Sequence, residues 1–336
     1  MLKKSKKRSL TMGLVAVIVL LVMLFVPQIV TTSYYLHLII VTLIWIVMTS
    51  GLNIIQGYAG YVSMCQVAFY GIGAYVSGLL MSKLGLSMPV GMLMAVAIGL
   101  VVGAVIGIPS LRTKGHYFSI VTLAFTMLVF TVMKAWQEVT GGIQGFSIPP
   151  LKGDFLGMPL SSREGYFYIV LIFTVLTLLF VYRLFKSKTG RAIVTLRENE
   201  DLAKAVGINT TGTKLLAFEL SAVLGCIGGV LYAHYMNFVN PTTFAAGIGM
   251  NAILAVMIGG CGTVIGPIVG SVVVTFLPEL LRAAELYRQL VFGILILVIV
   301  FVLPNGVMKP VVDGFKKLFS KLFKKDKQQL SGSTLK

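Results

Sequence analysis

Apolar runs of about 20 residues follow one another along most of this chain, and each is long enough to cross a bilayer as a helix. They fall at 10–30, 34–55, 60–82, 88–108, 116–134, 165–185, 215–236, 244–259, 264–281 and 287–303. The runs at 60–82, 244–259 and 264–281 are interrupted by glycine or are short. Only 12% of the 336 residues are charged and 57% are apolar, whereas a soluble domain carries about 25% charged residues. A water-soluble globule of this length cannot hide so much apolar surface. The runs also lack the ten-residue alternation of an outer-membrane barrel. The expected fold is all-α: a polytopic membrane protein of about ten transmembrane helices, some broken by glycine.

Basic residues set the orientation, because cytoplasmic loops collect Lys and Arg. With the N-terminus inside and the runs alternating, 22 of the 28 Lys and Arg residues lie on the inner side and six on the outer side. Losing one run scrambles that split, whereas losing two neighbours does not, so eight spans meet the pattern as well as ten. The expected organisation is a basic cytoplasmic tail at 1–9, a transmembrane domain at 10–303 and a second basic cytoplasmic tail at 304–336. Segment 135–164 is an external loop carrying Trp136, Pro149, Pro150 and Pro159, and 186–214 is a cytoplasmic loop. The opening MLKKSKKR and the run behind it resemble a signal peptide. That run exceeds a usual signal core and no small-residue cleavage site follows, so it is expected to stay as the first helix.

The net charge of +17 requires no nucleic acid partner, since anionic membrane lipid on the inner leaflet attracts such tails. The tail after Pro304 alternates lysine with Phe and Leu, which suits an amphipathic surface helix and equally a plain stop-transfer tail. Cys65, Cys226 and Cys261 are far apart, as are His37, His116 and His234. No metal-ligand cluster, catalytic pair or phosphate-binding loop appears among them. No catalytic residue, metal or cofactor is therefore assigned to this chain.

One polar stretch, GRAIVTLRENEDLAKAV at 190–206, holds three of the eleven acidic residues. Asn199 suits a helix N-cap, Glu200 and Asp201 the first turn, Lys204 the last turn and Gly207 the C-terminal stop. These predict one helix of about two turns, with Leu202, Ala203 and Val206 on one face. So short a helix does not stand alone in water. It packs on the protein's own helix ends, or it is a docking knob for a cytosolic protein.

Glycines crowd two further segments: Gly57, Gly60, Gly71, Gly73 and Gly78 in the first, and Gly259, Gly260, Gly262, Gly266 and Gly270 with Pro267 in the second. Glycine-broken helices in both halves point to a translocation path, while small residues also serve close helix packing. Gln56, Gly57, Gly60, Ser63 and Gln66, with Gly259, Gly260, Gly262 and Thr263, are the candidate path residues. Glu219 lies inside a run, where an acid is a functional candidate or a structural group reaching towards the inner interface.

Blocks in a fixed order resemble one family. They are QGYAGYVSMCQVAFYGIGAYVSGLL (56–80), GHYFSIVTLAF (115–125), WQEVTGGIQGF (136–146), GRAIVTLRENEDLAKAVGIN (190–209), KLLAFELSAVLGCIGGVLYA (214–233), VMIGGCGTVIGPIVG (256–270) and YRQLVFGILILVIVFVLPNG (287–306). From about Leu36 to Gly306 the chain resembles permease subunits of ABC importers for branched-chain amino acids, specifically the M-type of the two permeases. Met64, Cys65 and Gln66 depart from a more usual Leu-Gly-His or Leu-Gly-Gln, and Glu219 stands where apolar or small residues are common. The resemblance implies a multi-pass protein of the plasma or inner membrane that imports branched-chain or related amino acids. It implies ABC ATPase subunits that hold the ATP, an H-type second permease and an external substrate-binding protein as partners. It makes 190–209 the ATPase-coupling loop, with Arg191, Glu198, Asn199, Glu200, Leu202, Ala203 and Gly207 as its site residues. The competing reading is a proton-coupled secondary transporter using Glu219; an intramembrane enzyme ranks below both.

Overall fold

The computed structural model describes residues 21–281 except 31, 114 and 156, together with residues 290, 291, 293, 294 and 297. The tails at 1–9 and 304–336, part of the run at 10–30 and most of the run at 287–303 lie outside the described residues. Residues 21–29 are helical. The longer helices are α1 (Ser33–Leu52), α2 (Gln66–Leu84), α3 (Met88–Ser110), α4 (His116–Ala135), α5 (Arg163–Lys186) and α8 (Thr210–Met236). Between α5 and α8 come α6 (Lys188–Glu198) and α7 (Glu200–Ala205); α9 (Ala246–Gly259) and α10 (Gly266–Leu280) follow α8. A π-helical turn, Asn53–Tyr58, extends α1. Six of these helices are long and apolar enough to cross a membrane, and the chain is a polytopic membrane protein.

Two expectations need correction. The run at 60–82 is not helical throughout: residues 60–65 are irregular and α2 begins at Gln66. Gly60 takes a φ of +81°, which breaks a right-handed helix at no cost only where there is no side chain. The runs at 244–259 and 264–281 give helices of 14 and 15 residues. At 1.5 Å per residue each reaches about 21–23 Å, short of the roughly 30 Å hydrocarbon core. They pack on each other across a glycine-rich turn.

Helices α1, α2 and α8 form the centre. In the span from Ser33 to Tyr58, 83% of the most apolar window is buried, against 28% in α3 and α4. Helix α4 turns Tyr117, Ile120 and Leu128 outwards, and α5 turns out Ile172, Leu176 and Leu179. Bilayer helices have little hydrophobic drive towards each other, so close approach through small residues matters. A Cβ on Gly73 would lie 2.1 Å from Cys226 O, and one on Gly229 would lie 1.8 Å from Tyr70 O. The backbones of α2 and α8 therefore touch. On α3, Gly91, Gly99, Gly103 and Gly107 recur every four residues or a multiple of four, and face Ser77, Cys226, Glu219 and Phe218 in turn.

At one end of the bundle, Arg163 Nη1 donates to Ser33 O (3.0 Å), Lys83 Nζ donates to Glu138 O (3.0 Å), and a short antiparallel ladder pairs Phe146 with Val239. Helices α6 and α7 lie at the opposite end.

Candidate functional site: an elbow joined to two broken helices

The elbow is two helices: α7 is the short helix expected between Asn199 and Gly207, and α6 precedes it. Ser187 Oγ accepts from Gly190 N (3.1 Å) at the start of α6, and Ile193 and Leu196 are buried. That face seats α6 on the bundle. Asn199 then breaks the helix in an extended conformation, and its Oδ1 accepts from Leu202 N (3.0 Å) to cap α7. Gly207 follows with φ +83° and donates to Lys204 O (3.0 Å), while Ile208 N donates to Ala203 O (3.0 Å). This left-handed stop is favourable for glycine.

Three contacts pin α7 down. Ala203 is fully buried. Glu200 pairs with Lys214 of α8 at 2.7 Å and with Lys204 at 3.2 Å, and Tyr61 OH donates to Glu200 Oε2 at 3.2 Å. The face predicted for Leu202, Ala203 and Val206 is thereby split. Ala203 faces in, whereas Leu202 and Val206 stand 58% and 65% exposed. Arg191 and Glu198 are exposed, and Arg191 Nη1 donates back to Lys186 O (3.0 Å).

The hydrogen bond from Lys214 pulls the Glu200 carboxyl down from its ordinary 4.5 to about 2, against the opposing pull of burial. Burial pushes the Tyr61 hydroxyl up. A carboxylate with a depressed folded-state pKa stabilises the fold fully above its unfolded pKa and loses that contribution as pH falls towards the folded one. Melting of the detergent-solubilised protein is therefore expected to exceed that of Glu200→Gln by a constant margin from pH 7 to pH 5. The margin should shrink below the ordinary value of 4.5; a margin unchanged at pH 3 would contradict the pairing.

Behind the elbow the two glycine-broken segments meet. Asn53, at the start of the π turn, holds the turn after α9 with both ends of its amide. Its Nδ2 donates to Thr263 O (2.8 Å) and its Oδ1 accepts from Gly262 N (2.9 Å). Thr263 Oγ1 donates to Gly260 O (3.0 Å) and accepts from Gly266 N (3.0 Å), fixing the turn itself. Arg197, in the last turn of α6, donates from Nη1 to Gly57 O at 2.6 Å. No side chain fits between these groups: a Cβ on Gly57 would lie 1.9 Å from Asn53 Oδ1 and 2.4 Å from Gly262 N.

Residues 34–300 match the family described as the branched-chain amino acid transport system / permease component. The chain belongs to this family. It is 31% identical to the high-affinity branched-chain amino acid transport system permease protein LivM of Salmonella typhimurium, over 80% of this chain and 68% of that one. Identity to the LivH permease of Escherichia coli is 24%, over 78% of this chain and 91% of the relative. The autoinducer 2 import system permease protein LsrC of Salmonella paratyphi B is 29% identical, over 69% and 67%. No solved structure matches the chain.

In this permease the candidate path residues do not form one cluster. Gly57, Gly60, Gly260, Gly262 and Thr263 gather around Asn53 and Arg197. Gly259 instead packs on Gly266 and Gly270. Gln66 is committed to α1 and α8: its Nε2 donates to Met48 O (2.9 Å) and Ser221 O (3.2 Å), and its Oε1 accepts from Ser221 Oγ (2.7 Å). Ser63 lies 3.1 Å from Cys65 Sγ. Gln56 is buried, and its Oε1 has no partner among the described residues. Glu219 projects from α8 against Gly103 of α3, and its Oε2 likewise has no partner among the described residues.

Asn53, Tyr61, Arg197 and Lys214 are absent from the candidate site residues read off the sequence. Arg197 stands beside the acidic triplet in the sequence and Asn53 is a polar group in an apolar run, whereas Lys214 lies beyond the elbow in α8. Their partners were not visible.

Proposed function

We propose that this permease is the membrane-spanning subunit of an ATP-driven importer for branched-chain or related amino acids. ATP is bound and hydrolysed on partner ABC ATPase subunits, and this chain itself is not an enzyme and binds no cofactor. The observation that carries the reading is the elbow: a capped, ion-paired helix that is anchored through Ala203 and Glu200 yet offers Leu202 and Val206 to the outside. A rigid mount with a small apolar tip and charges of both signs is what a docking protein can grip.

In this reading the elbow end is cytoplasmic, in keeping with its basic residues, and both termini lie on that side, with eight full spans, since dropping the short neighbours α9 and α10 leaves the sidedness unchanged. The opposite end, with the loop 135–164, receives an external substrate-binding protein. An H-type permease is the expected second subunit, lipid the remaining partner, and nucleic acid has no role. The path runs along the broken segments, where backbone released from helices can meet a zwitterion's charged ends.

The competing reading gives Glu219 a proton-relay role. Reconstitution separates the two. Leucine uptake into liposomes is expected only when the second permease, the ATPase and the binding protein are present with ATP, and Glu219→Gln should retain at least half of it. Uptake by the isolated chain under a pH gradient, abolished in Glu219→Gln, would replace the importer by a proton-coupled carrier.

A further inference from the structure

The elbow does more than offer a tip to a partner. Its other side reaches into the bundle through Arg197, and this contact lies away from Leu202 and Val206. The π turn Asn53–Tyr58 leaves the regular α-helical pattern, a distortion that recurs at functional positions. Gly57 O takes its hydrogen bond from the Arg197 guanidinium at 2.6 Å. A Cβ on Gly262 would lie 3.0 Å from Arg197 Nη1 and 2.9 Å from Gly57 O, and one on Gly60 would lie 2.9 Å from Arg197 Cγ. The end of α1, the turn between α9 and α10, and the last turn of α6 thus converge on one point.

The α2–α8 crossing joins close backbone packing to side-chain hydrogen bonds of Gln66 with Ser221 and of Ser77 with His234. Around Arg197 and Asn53 the joint is made of hydrogen bonds from two side chains to backbone groups, over glycines that leave no side chain to interlock. Water can replace such bonds when a joint opens, at a small net change per bond. Arg197 is itself exposed along part of its length, so its guanidinium can exchange Gly57 O for water.

We propose that Asn53 and Arg197 are positioning residues of a latch that holds the inner ends of the two glycine-broken segments together. Arg197 carries movement of the ATPase-bound elbow into that latch, which opens and closes once per transport cycle. The proposal rests on the docking role given to the elbow above, and its test separates the two. Full complexes with Arg197→Met, Arg197→Lys, Asn53→Leu and the milder Asn53→Asp are reconstituted with ATPase, second permease and binding protein, using leucine as the transported probe. The readout is leucine moved per ATP hydrolysed, which does not depend on how much complex survives preparation.

Arg197→Met and Asn53→Leu are expected to keep the ATPase bound and hydrolysing while transport per ATP falls at least tenfold. Arg197→Lys, which keeps a cationic donor, should stay within threefold of wild type. Asn53→Asp keeps the acceptor for Gly262 N, loses the donor to Thr263 O and should fall in between; it preserves the test if Asn53→Leu does not accumulate. An unchanged ratio in Arg197→Met and in either Asn53 variant overturns the latch. Loss of the ATPase from Arg197→Met also overturns it, because Arg197 would then belong to the docking face. Failure of the docking role itself shows elsewhere, as ATPase retained after Leu202 and Val206 are both made acidic.

Discussion

Replacing Leu202 and Val206 together by aspartate is expected to strip the ATPase from the permease. Recovery of ATPase with a tagged chain should fall at least tenfold, and ATP-driven uptake should fall with it. Both side chains are more than half exposed, and burying one such side chain at an interface is worth about 1.5–3 kcal/mol. Losing two exceeds the roughly 1.4 kcal/mol that corresponds to a tenfold change in affinity. Two carboxylates left at an apolar contact add a desolvation cost. The anchors are untouched: Ala203 is buried, Glu200 pairs with Lys214, and the Asn199 cap takes the backbone N–H of residue 202, which the substitution keeps. Melting of the purified variant should therefore match wild type. Unchanged ATPase recovery would place the docking face elsewhere.

The second large effect concerns folding. Gly229→Leu is expected to abolish recovery of monodisperse protein from detergent. Even a Cβ at Gly229 would meet Tyr70 O at 1.8 Å and Ala74 N at 2.9 Å. Those are backbone atoms of α2, so no side-chain rotation relieves the clash and the two central helices must separate. Overpacking a close-packed interior costs about 1–3 kcal/mol per site and more when backbone must move. Gly247→Ala is the matched control, having nothing within 4 Å of its added Cβ, and should be silent. Normal yield of Gly229→Leu would show that α2 and α8 do not meet at this point.

What could be read in advance was local or compositional. Six long helices fall close to apolar runs because membrane helices satisfy their own backbone and need only length and apolarity. The cap at Asn199 and the stop at Gly207 depend on neighbours three or four residues away, so they too were legible. What remained hidden depends on pairing across the chain. Asn53 and Thr263 are 210 positions apart, and Arg197 and Gly57 are 140 apart. Nothing in an apolar run says which remote turn its one asparagine will hold. The helix that starts at Asn199 was read correctly, but α6 before it was missed, because the acidic turn stands out in the sequence and the apolar face of Ile193 and Leu196 does not. For Gln66 the sequence pattern suggested a path lining, whereas tertiary packing commits its amide to Met48 and Ser221. The short helices α9 and α10 read as spans because apolarity alone does not show where glycines turn the chain back.

The most direct measurement is the sidedness and shielding of the elbow. Ala205, exposed on α7, is replaced by cysteine in a chain carrying Cys261→Ser; Cys65 and Cys226 are buried. A membrane-impermeant maleimide should leave intact cells unlabelled, label inside-out vesicles, and label them less once the ATPase is bound. Labelling of sealed, intact cells would put the elbow on the outer face and contradict the account.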